Sequence, residues 1–332
     1  MNELFDSTYR PRRLRASAPL RHLVRETRVS PESLVWPLFT VEEPGVKREI
    51  PSLPGQYHWA PERICEAVEQ ALAAGVDKFL LFGLPAHKDE RGSGAWVAEG
   101  VVQQALRAIR ERYPEVLLIG DVCLCEYTSH GHCGVLDEAG QPDNDRTLPL
   151  LAATAVSQVQ AGASMVAPSA MMDGQIGALR EGLDEMGFDG VPIMAYSAKY
   201  ASAFYGPFRD AAGSAPSRGD RKGYQMDPHN VREAVRESLL DAQQGADVLM
   251  VKPALAYLDV IARVKQATDL PLAAYSVSGE YAMLKAAAAA GLIDEHAVMC
   301  EMATGIFRAG ADVLITYSAL ELAEAMRQGD VG

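Results

Sequence analysis

Apolar runs of strand length alternate along this chain with amphipathic segments of helical length. Several helix-like segments end in Gly, and a small or acidic residue then leads into the next apolar run, as in ALAAGVDKFLLFG and DAQQGADVLMVKP. Glycine just past a helix is a common stop signal, and continuous apolar strands are typical of parallel sheets that are buried on both faces. Eight strands are predicted in this way, near residues 33–41, 76–84, 115–124, 163–169, 191–198, 246–252, 270–277 and 311–318.

Eight strand–helix units of this length predict an α/β fold, namely a closed (β/α)8 TIM barrel. A doubly wound open sheet is the alternative, but no Gly-rich dinucleotide fingerprint follows the first strand. We expect residues 31–332 to form one catalytic barrel. Residues 1–30 differ, because they hold seven arginines and little apolar periodicity. They predict either an extended or helical N-terminal arm that contacts another subunit or a solvated tail.

The chain carries 31 basic and 44 acidic residues, a net charge of −13, which argues against nucleic acid and anionic membranes as partners. No apolar run approaches the ~18 residues that span a bilayer, and no apolar signal segment follows Met1. Acidic residues among the N-terminal arginines disfavour an organelle transit peptide, so a cytoplasmic location is expected. Three of the five cysteines fall within residues 123–133, which favours metal binding over disulfides.

Two lysines stand at the ends of predicted buried strands. Lys199 ends VPIMAYSAK, and Lys252 ends GADVLMVK on the following strand. An ammonium group is costly to bury, so each lysine could either extend its charge to solvent or lose a proton and become a nucleophilic amine. A second lysine close by favours the neutral amine further. The pair therefore predicts Schiff-base chemistry on carbonyl substrates.

Other polar residues also follow predicted strands, among them Asp121, Ser169, Ser278 and Tyr317. The carboxyl ends of barrel strands meet at one face, where barrel enzymes hold their active sites. We therefore expect these side chains to share one site with the lysines. Ser278 and Tyr317 offer neutral donors to a substrate carboxylate.

The segment DVCLCEYTSHGHCGV contains Cys123, Cys125 and Cys133. Three thiolates can hold Zn²⁺ and leave a fourth position open, as catalytic zinc sites do, although three free buried cysteines are the alternative. His130 and His132 are either further ligands or ordinary loop histidines.

The segment 200–227 directly follows Lys199 and is rich in glycine, aromatic and cationic residues. A loop of this length in a compact domain is usually functional, so it predicts an active-site lid. Arg209 and Arg221 could bind a substrate carboxylate as the lid closes, and an ordinary flexible loop is the alternative. Two amines, two anion-binding groups and a metal would suit the joining of two keto acids.

These stretches closely resemble the porphobilinogen synthases, also called 5-aminolevulinate dehydratases. The most specific pieces are DVCLCEYTSHGHCGVL, APSAMMDGQI, YSAKYASAFYGPFRDA, GDRKGYQMDP, VKPALAYLD and YSVSGEYAM. The resemblance implies a (β/α)8 barrel whose N-terminal arm embraces a neighbour, usually in a homo-octamer. It also implies the condensation of two 5-aminolevulinate molecules to porphobilinogen with loss of two waters, in tetrapyrrole and heme biosynthesis.

The resemblance implies a role for each lysine. Lys252 matches the lysine that forms the principal Schiff base, with the substrate that becomes the propionate side. Lys199 matches the second lysine, which can form an imine with the other substrate. The first substrate's carboxylate would be held by Ser278 and Tyr317, and the lid residues around the second substrate are matched by Arg209, Arg221 and Gln225.

The resemblance also implies the metals. Cys123, Cys125 and Cys133 match the zinc-dependent branch of the family, and Asp121 matches an aspartate near the metal. Glu237 matches the ligand of an allosteric magnesium between subunits. Position 223 is Gly, where some relatives place a cysteine for a second zinc, so a second zinc is not expected.

The barrel prediction is also compatible with two other functions. A class I aldolase on a similar barrel would need one lysine and no cysteine-bound metal. A non-catalytic metabolite- or zinc-binding regulator would need neither the lysine pair nor the lid arginines.

Overall fold

The computed structural model describes residues 9–331, and its centre is a ring of parallel strands. Strand residues are almost entirely buried, as the continuous apolar runs require, and the paired backbone groups of neighbouring strands satisfy one another. The strands are β1 (Leu34–Val41), β2 (Lys47–Ile50), β3 (Leu53–Trp59), β4 (Lys78–Leu84), β5 (Leu117–Val122), β6 (Met165–Pro168), β7 (Met194–Lys199), β8 (Val248–Lys252), β9 (Leu272–Ser276) and β10 (Val313–Thr316).

Eight of these strands pair in parallel in the order β6-β5-β4-β1-β10-β9-β8-β7. The two ends of this order meet at a bridge between Val166 and Ile193, where the Val166 amide donates to the Pro192 carbonyl at 3.2 Å. The sheet therefore closes on itself as a nearly complete eight-stranded barrel. This confirms the predicted TIM barrel, and the open-sheet alternative is wrong.

Helices surround the barrel and cover its apolar outer face. The glycines predicted to end helices adopt the left-handed conformation, with φ of 103° at Gly245 and 118° at Gly310. The helices are α1 (Ala18–Leu23), α2 (Cys65–Ala73), α3 (Val101–Arg112), α4 (Asn144–Gln160), α5 (Gln175–Glu185), α6 (Gly206–Ala211), α7 (Val231–Gln243), α8 (Leu258–Ala267), α9 (Ser278–Ala289), α10 (Glu295–Ala309) and α11 (Ala319–Gln328).

The hairpin of β2 and β3 was not predicted. The first three residues of β2 are exposed, so the segment lacks the apolar pattern that marks the barrel strands. β3 also pairs with β1 and places Gln56 inside, where its Nε2 donates to the Tyr317 carbonyl at 3.1 Å. The hairpin thus covers one side of the barrel mouth.

The N-terminal residues 9–30 run along the surface and include α1, which has no buried residue in this chain. The predicted arm covers 1–30, and its residues 1–8 lie outside the described part. Subunit contact by the arm stays a prediction. Within residues 9–331, no helix is long and apolar enough to cross a membrane.

Candidate active site

The two lysines lie side by side at the carboxyl ends of β7 and β8. Lys199 and Lys252 are register partners, and each is only 5 % exposed. Lys252 Nζ lies 5.1 Å and Lys199 Nζ 5.5 Å from the centroid of the same ring, that of Tyr196. Lys199 also donates a hydrogen bond to the Ser169 carbonyl oxygen. Both predicted amines therefore point into one buried space.

A β-bulge turns Lys199 toward that space. Ala195 pairs with Leu249 and Ala198 pairs with Val251, so three steps along β7 match two along β8. Side chains of a regular strand alternate between its faces, and a bulge inserts one residue into that alternation. Tyr196 faces the barrel interior, whereas Ala195 and Ala198 pack on the helix side. In a regular strand with the same residues, Lys199 would share the face of Ala195, four residues earlier, and point outward.

An aromatic cage formed by Tyr196, Tyr205, Phe208 and Tyr275 surrounds the amine of Lys252. The ring of Tyr275 is nearest, with its centroid 4.2 Å from Nζ, and the Phe208 centroid lies at 5.2 Å. Burial, followed by the positive charge of Lys199, lowers the pKa of Lys252 to about 7. A large share of Lys252 is therefore the neutral, nucleophilic amine near neutral pH.

Three thiols converge beside the lysines. The Sγ atoms of Cys123, Cys125 and Cys133 lie within 4.8 Å of one another, and all three residues are buried. Tetrahedral Zn²⁺ with thiolate bonds of about 2.3 Å needs sulfurs about 3.8 Å apart, so the cluster fits this ion. Hydrogen bonds from Cys123 and Cys125 hold the pKa of the Cys133 thiol well below its usual range. The cluster can thus hold a metal.

The histidines of the same loop have other partners. His132 Nε2 lies 2.9 Å from the Arg218 carbonyl oxygen, and its Nδ1 lies 3.2 Å from the Tyr224 hydroxyl. His130 Nε2 lies 3.1 Å from the Glu90 carbonyl oxygen. The structure therefore uses both residues to fold the loop that carries Cys133.

Asp121 is the penultimate residue of β5 and lies on the lysine side of the cysteine cluster. Its Oδ2 accepts a hydrogen bond from Ser169 Oγ at 3.1 Å, and Oδ1 finds no partner among residues 9–331. Burial, with a contribution from the charge of Glu126, raises the pKa of Asp121 to about 7. Glu126 was not predicted; it is buried, and its Oε2 lies 3.2 Å from Cys125 Sγ.

The segment 200–227 is folded over the barrel mouth, with α6 at its centre. The Phe208 backbone amide donates to Ser278 Oγ at 2.9 Å. The Ala211 carbonyl oxygen lies 2.7 Å from His58 Nε2 of the β2–β3 hairpin. Lys88 Nζ donates to the Gly213 carbonyl at 2.7 Å. The segment covers Lys252 in the way a lid would.

The lid side of the site contains buried polar atoms without partners. Arg221 donates to the carbonyls of Gly131 and Ser214 through Nη2, at 2.9 and 2.5 Å. Its Nε, however, finds no hydrogen-bond partner in the described chain, and neither do Nε of Arg209 and both amide atoms of Gln225. Buried polar groups are nearly always hydrogen-bonded in native proteins. A polar ligand that bonds these atoms would complete this side of the site.

The opposite side is already bonded within the protein. Ser278 starts α9, and its Oγ also donates to the Phe204 carbonyl at 3.3 Å. The hydroxyls of Tyr317 and Tyr275 lie 3.3 Å apart. The first turn of α9 points its backbone amides toward this region, and such helix starts favour anions.

Glu237 lies on α7, away from the lysines, in a cavity of about 400 Å³. Asp173, Glu233 and Asp241 also line this cavity, and its wall reaches Ser197 of β7 and Gln225 of the lid side. Burial and the charge of Asp173 raise the pKa of Glu237. The cavity is acidic, as a divalent cation would require.

Three residue groups escaped the sequence analysis: the aromatic cage, Glu126, and Glu280 in α9. The aromatic residues of the cage lie on the strand of Lys199, in the lid that follows it and on the strand after Lys252. Aromatic residues at these positions could have indicated the cage from the sequence. Glu280 follows the start of α9 at the spacing of a helix-capping glutamate, which also offered one.

Comparison with known proteins gives one consistent result. A family model described as delta-aminolevulinic acid dehydratase matches residues 8–325. Proteins of that name from Synechococcus elongatus and Halalkalibacterium halodurans are 54 % and 51 % identical to this chain, over 95 % and 96 % of it and 98 % and 97 % of their own lengths. A Toxoplasma gondii ME49 crystal structure of delta-aminolevulinic acid dehydratase (porphobilinogen synthase), in complex with the reaction product porphobilinogen, superposes with a TM-score of 0.94 at 47 % identity, covering 96 % of this chain and 92 % of that one.

Proposed function

This chain belongs to the delta-aminolevulinic acid dehydratase family of lyases and condenses two 5-aminolevulinate molecules to porphobilinogen, and we propose that it does so through imines on Lys252 and Lys199. The observation that supports the proposal most is the pair of buried amines over one ring, that of Tyr196. Family membership decides against the class I aldolase and the non-catalytic regulator.

Lys252 is the principal nucleophile in this proposal. Its neutral amine attacks the keto carbon of the first substrate, and the two amine protons leave with the keto oxygen as water. Lys199 forms an imine with the second substrate in the same way, and loss of a proton from the carbon next to that imine gives an enamine. The enamine carbon attacks the imine carbon held by Lys252, and later ring closure and elimination release both lysines as free amines. Fixing both substrates in one closed space removes much of the entropic cost of joining them.

Each substrate has a binding side of its own. Ser278, Tyr317 and the start of α9 would take the carboxylate of the first substrate. Arg209, Arg221 and Gln225 would take the second, because a carboxylate and an amino group would pair the atoms that otherwise lack partners. Asp121 lies between the lysines and the cysteines, where its free Oδ1 could accept a proton or a hydrogen bond from substrate.

Zinc is proposed as the metal of Cys123, Cys125 and Cys133. Bound there, it would supply Lewis-acid polarisation of a substrate atom. Glu126 would hold the position of Cys125 through its 3.2 Å contact. Replacing Cys125 with Ser should remove bound zinc, measured by elemental analysis, while the far-ultraviolet circular dichroism spectrum stays unchanged.

Magnesium is proposed at Glu237, with an allosteric role. The acidic lining of its cavity supports this assignment, since Mg²⁺ prefers carboxylate and water oxygens. The homo-octamer, its arm contacts and the cytoplasmic location stay predictions.

Borohydride trapping tests the proposal. The protein is mixed with 5-aminolevulinate, reduced and digested, and the peptides are mapped by mass spectrometry. We expect a reduced adduct on Lys252, alone or together with Lys199. Folded, metal-loaded protein that turns over substrate without any lysine adduct would contradict the imine mechanism.

A further inference from the structure

Glu280 is a buried carboxylate that the mechanism above does not use. It is 1 % exposed, yet it is the third residue of α9 and lies directly behind the first-substrate side of the site. A buried acid is costly unless its oxygens are bonded, so its partners indicate what it does.

The partners of Glu280 belong to two separate loops. Its Oε1 accepts the amide of Leu255, in the loop that follows Lys252, at 2.5 Å. Its Oε2 accepts the amide of Val277, the residue before Ser278, also at 2.5 Å. One carboxylate therefore ties the loop that carries the nucleophilic amine to the loop that carries the carboxylate anchor.

The same two loops are held from their other sides. The Lys252 carbonyl accepts from the Tyr200 amide at 3.0 Å and from the Tyr205 hydroxyl at 3.2 Å. Ser278 Oγ bonds the lid backbone, as described above. The hydrogen bonds of Glu280 cross the gap between the two loops.

We propose that Glu280 is a positioning residue that fixes the distance between the Lys252 amine and the Ser278 anchor, and so sets the preference of Lys252 for ketones that carry a carboxylate. This inference rests on the proposed roles of Lys252 and Ser278. A carboxylate is needed because both diverging amides require an acceptor. A glutamine side chain offers one acceptor and one donor, so one amide would lose its partner and its loop could shift.

The test compares two ketones that differ in the carboxylate. The probe 4-oxopentanoate has a keto group and a carboxylate, whereas 2-butanone has only the keto group. Borohydride trapping on Lys252 is followed over time for both probes with the full-length, metal-loaded wild-type protein. We expect wild type to trap 4-oxopentanoate at much lower concentration than 2-butanone.

In the Glu280→Gln variant we expect the preference for 4-oxopentanoate to fall at least about tenfold, because small misplacements of anchored reactants cost this much or more. Trapping of 2-butanone should stay within about twofold, since it uses the amine alone. An equal loss with both probes would indicate only a damaged Lys252, and an unchanged preference would indicate no role. Either result would overturn the inference.

The Asp312→Asn variant is the matched control. Asp312 Oδ2 accepts the Leu272 amide at 2.8 Å, so it makes the same kind of bond at the other end of the same strand, β9. The Asp312→Asn variant should prefer 4-oxopentanoate over 2-butanone to the same extent as wild type. If Glu280→Gln does not fold, Glu280→Asp takes its place, because the shorter side chain keeps the charge but cannot reach both amides.

The two hypotheses fail in different ways. No Lys252 adduct, or no preference for 4-oxopentanoate, in the wild-type protein would refute the proposed roles of Lys252 and Ser278 and this inference with them. A wild-type preference that survives in both Glu280 variants would refute the inference alone.

Discussion

The two sides of the candidate active site differ in how completely the protein satisfies its own polar atoms. On the side of Lys252, the hydroxyls of Ser278 and Tyr317 have protein partners, and the amine lies in the aromatic cage. On the lid side, atoms of Arg209, Arg221 and Gln225 are buried without partners among residues 9–331. The anchor formed by Ser278 and Tyr317 is hydrogen-bonded before a ligand arrives, whereas the lid side is not. On the Lys252 side, the hydroxyl of Tyr196 also has no partner among residues 9–331.

Because of this difference, the two sides of the site contribute differently to the stability of the fold and to substrate binding. A buried polar group without a partner costs about 1–3 kcal/mol, so the lid side lowers the stability of the free protein and would regain that energy on binding substrate. Residues on the Lys252 side contribute to both the fold and the site. Removing a hydrogen-bonded polar group such as Ser278 Oγ should therefore lower the melting temperature, and removing an unpartnered one on the lid side should raise it.

The largest effect is expected from Lys252→Met, which keeps the volume of the side chain and removes the amine. Turnover should fall by at least about a thousandfold, because the nucleophile is lost. The pKa of Lys252 is lower in the folded than in the unfolded chain, so the amine destabilises the fold at pH 7, and this cost fades as the pH rises toward 10.5. The variant should thus melt no lower than wild type at pH 7.

The control for that variant is Lys78→Met, at the opposite end of the barrel, where Lys78 pairs with Asp77. Its turnover should match wild type. If Lys252→Met keeps more than about a thousandth of the wild-type turnover, Lys252 is not the principal nucleophile.

Gln225→Leu tests the lid side. It removes two buried polar atoms without partners, so the melting temperature should rise by about 1–3 °C in differential scanning calorimetry. The KM for 5-aminolevulinate should rise about tenfold or more, because the second substrate loses its contacts. Gln103→Leu is the matched control, since Gln103 is equally buried but its Nε2 donates to the Ala95 carbonyl and to Ser157 Oγ, while its Oε1 has no partner among residues 9–331. It should melt lower and leave KM unchanged.

The pH dependence of trapping tests the electrostatics of the Lys252 side. With the pKa of Lys252 lowered to about 7, the neutral amine falls about tenfold between pH 8 and pH 6. The rate of adduct formation with 4-oxopentanoate should fall by the same factor. A rate that keeps rising steeply between pH 8 and pH 10 would place the pKa near its ordinary value and contradict the proposed environment.

Ser278→Ala should give the smallest change and the opposite sign to Gln225→Leu. The Phe208 amide loses its acceptor, which costs about 1 kcal/mol and should lower the melting temperature by about 1–3 °C. A rise in melting temperature would mean that Ser278 is not part of a satisfied network, and the contrast between the two sides would not hold.

Most of the barrel could be predicted from the sequence because its strands are buried on both faces. The run ending at Lys252 was predicted as 246–252 and is a strand from Val248 to Lys252. The hairpin of β2 and β3 could not be predicted in this way, since its exposed residues pack against parts of the chain far away in sequence. Local patterns show burial, and they do not show pairing partners.

The sequence indicated which residues would meet in the candidate site, but not how their side chains would be oriented or bonded. Strand ends placed Lys199, Lys252 and Asp121 together correctly. The bulge that turns Lys199 inward left no mark in AYSAK, because Ala and Ser are small enough for either face. The missing partners on the lid side arise only once distant segments meet, so no sequence pattern could show them.

The bulge in β7 lets this strand hold one residue more than its neighbour while Lys199 stays on the substrate side. Ala195 and Lys199 are four residues apart, a spacing that puts two side chains on the same face of a regular strand, yet here they lie on opposite faces. A related chain that lacked one codon between these positions would have a regular strand, and its lysine would still point toward the substrate. A gene survey that assigns faces by counting alternate positions would therefore misplace Lys199 in this protein and place it correctly in the shorter relative.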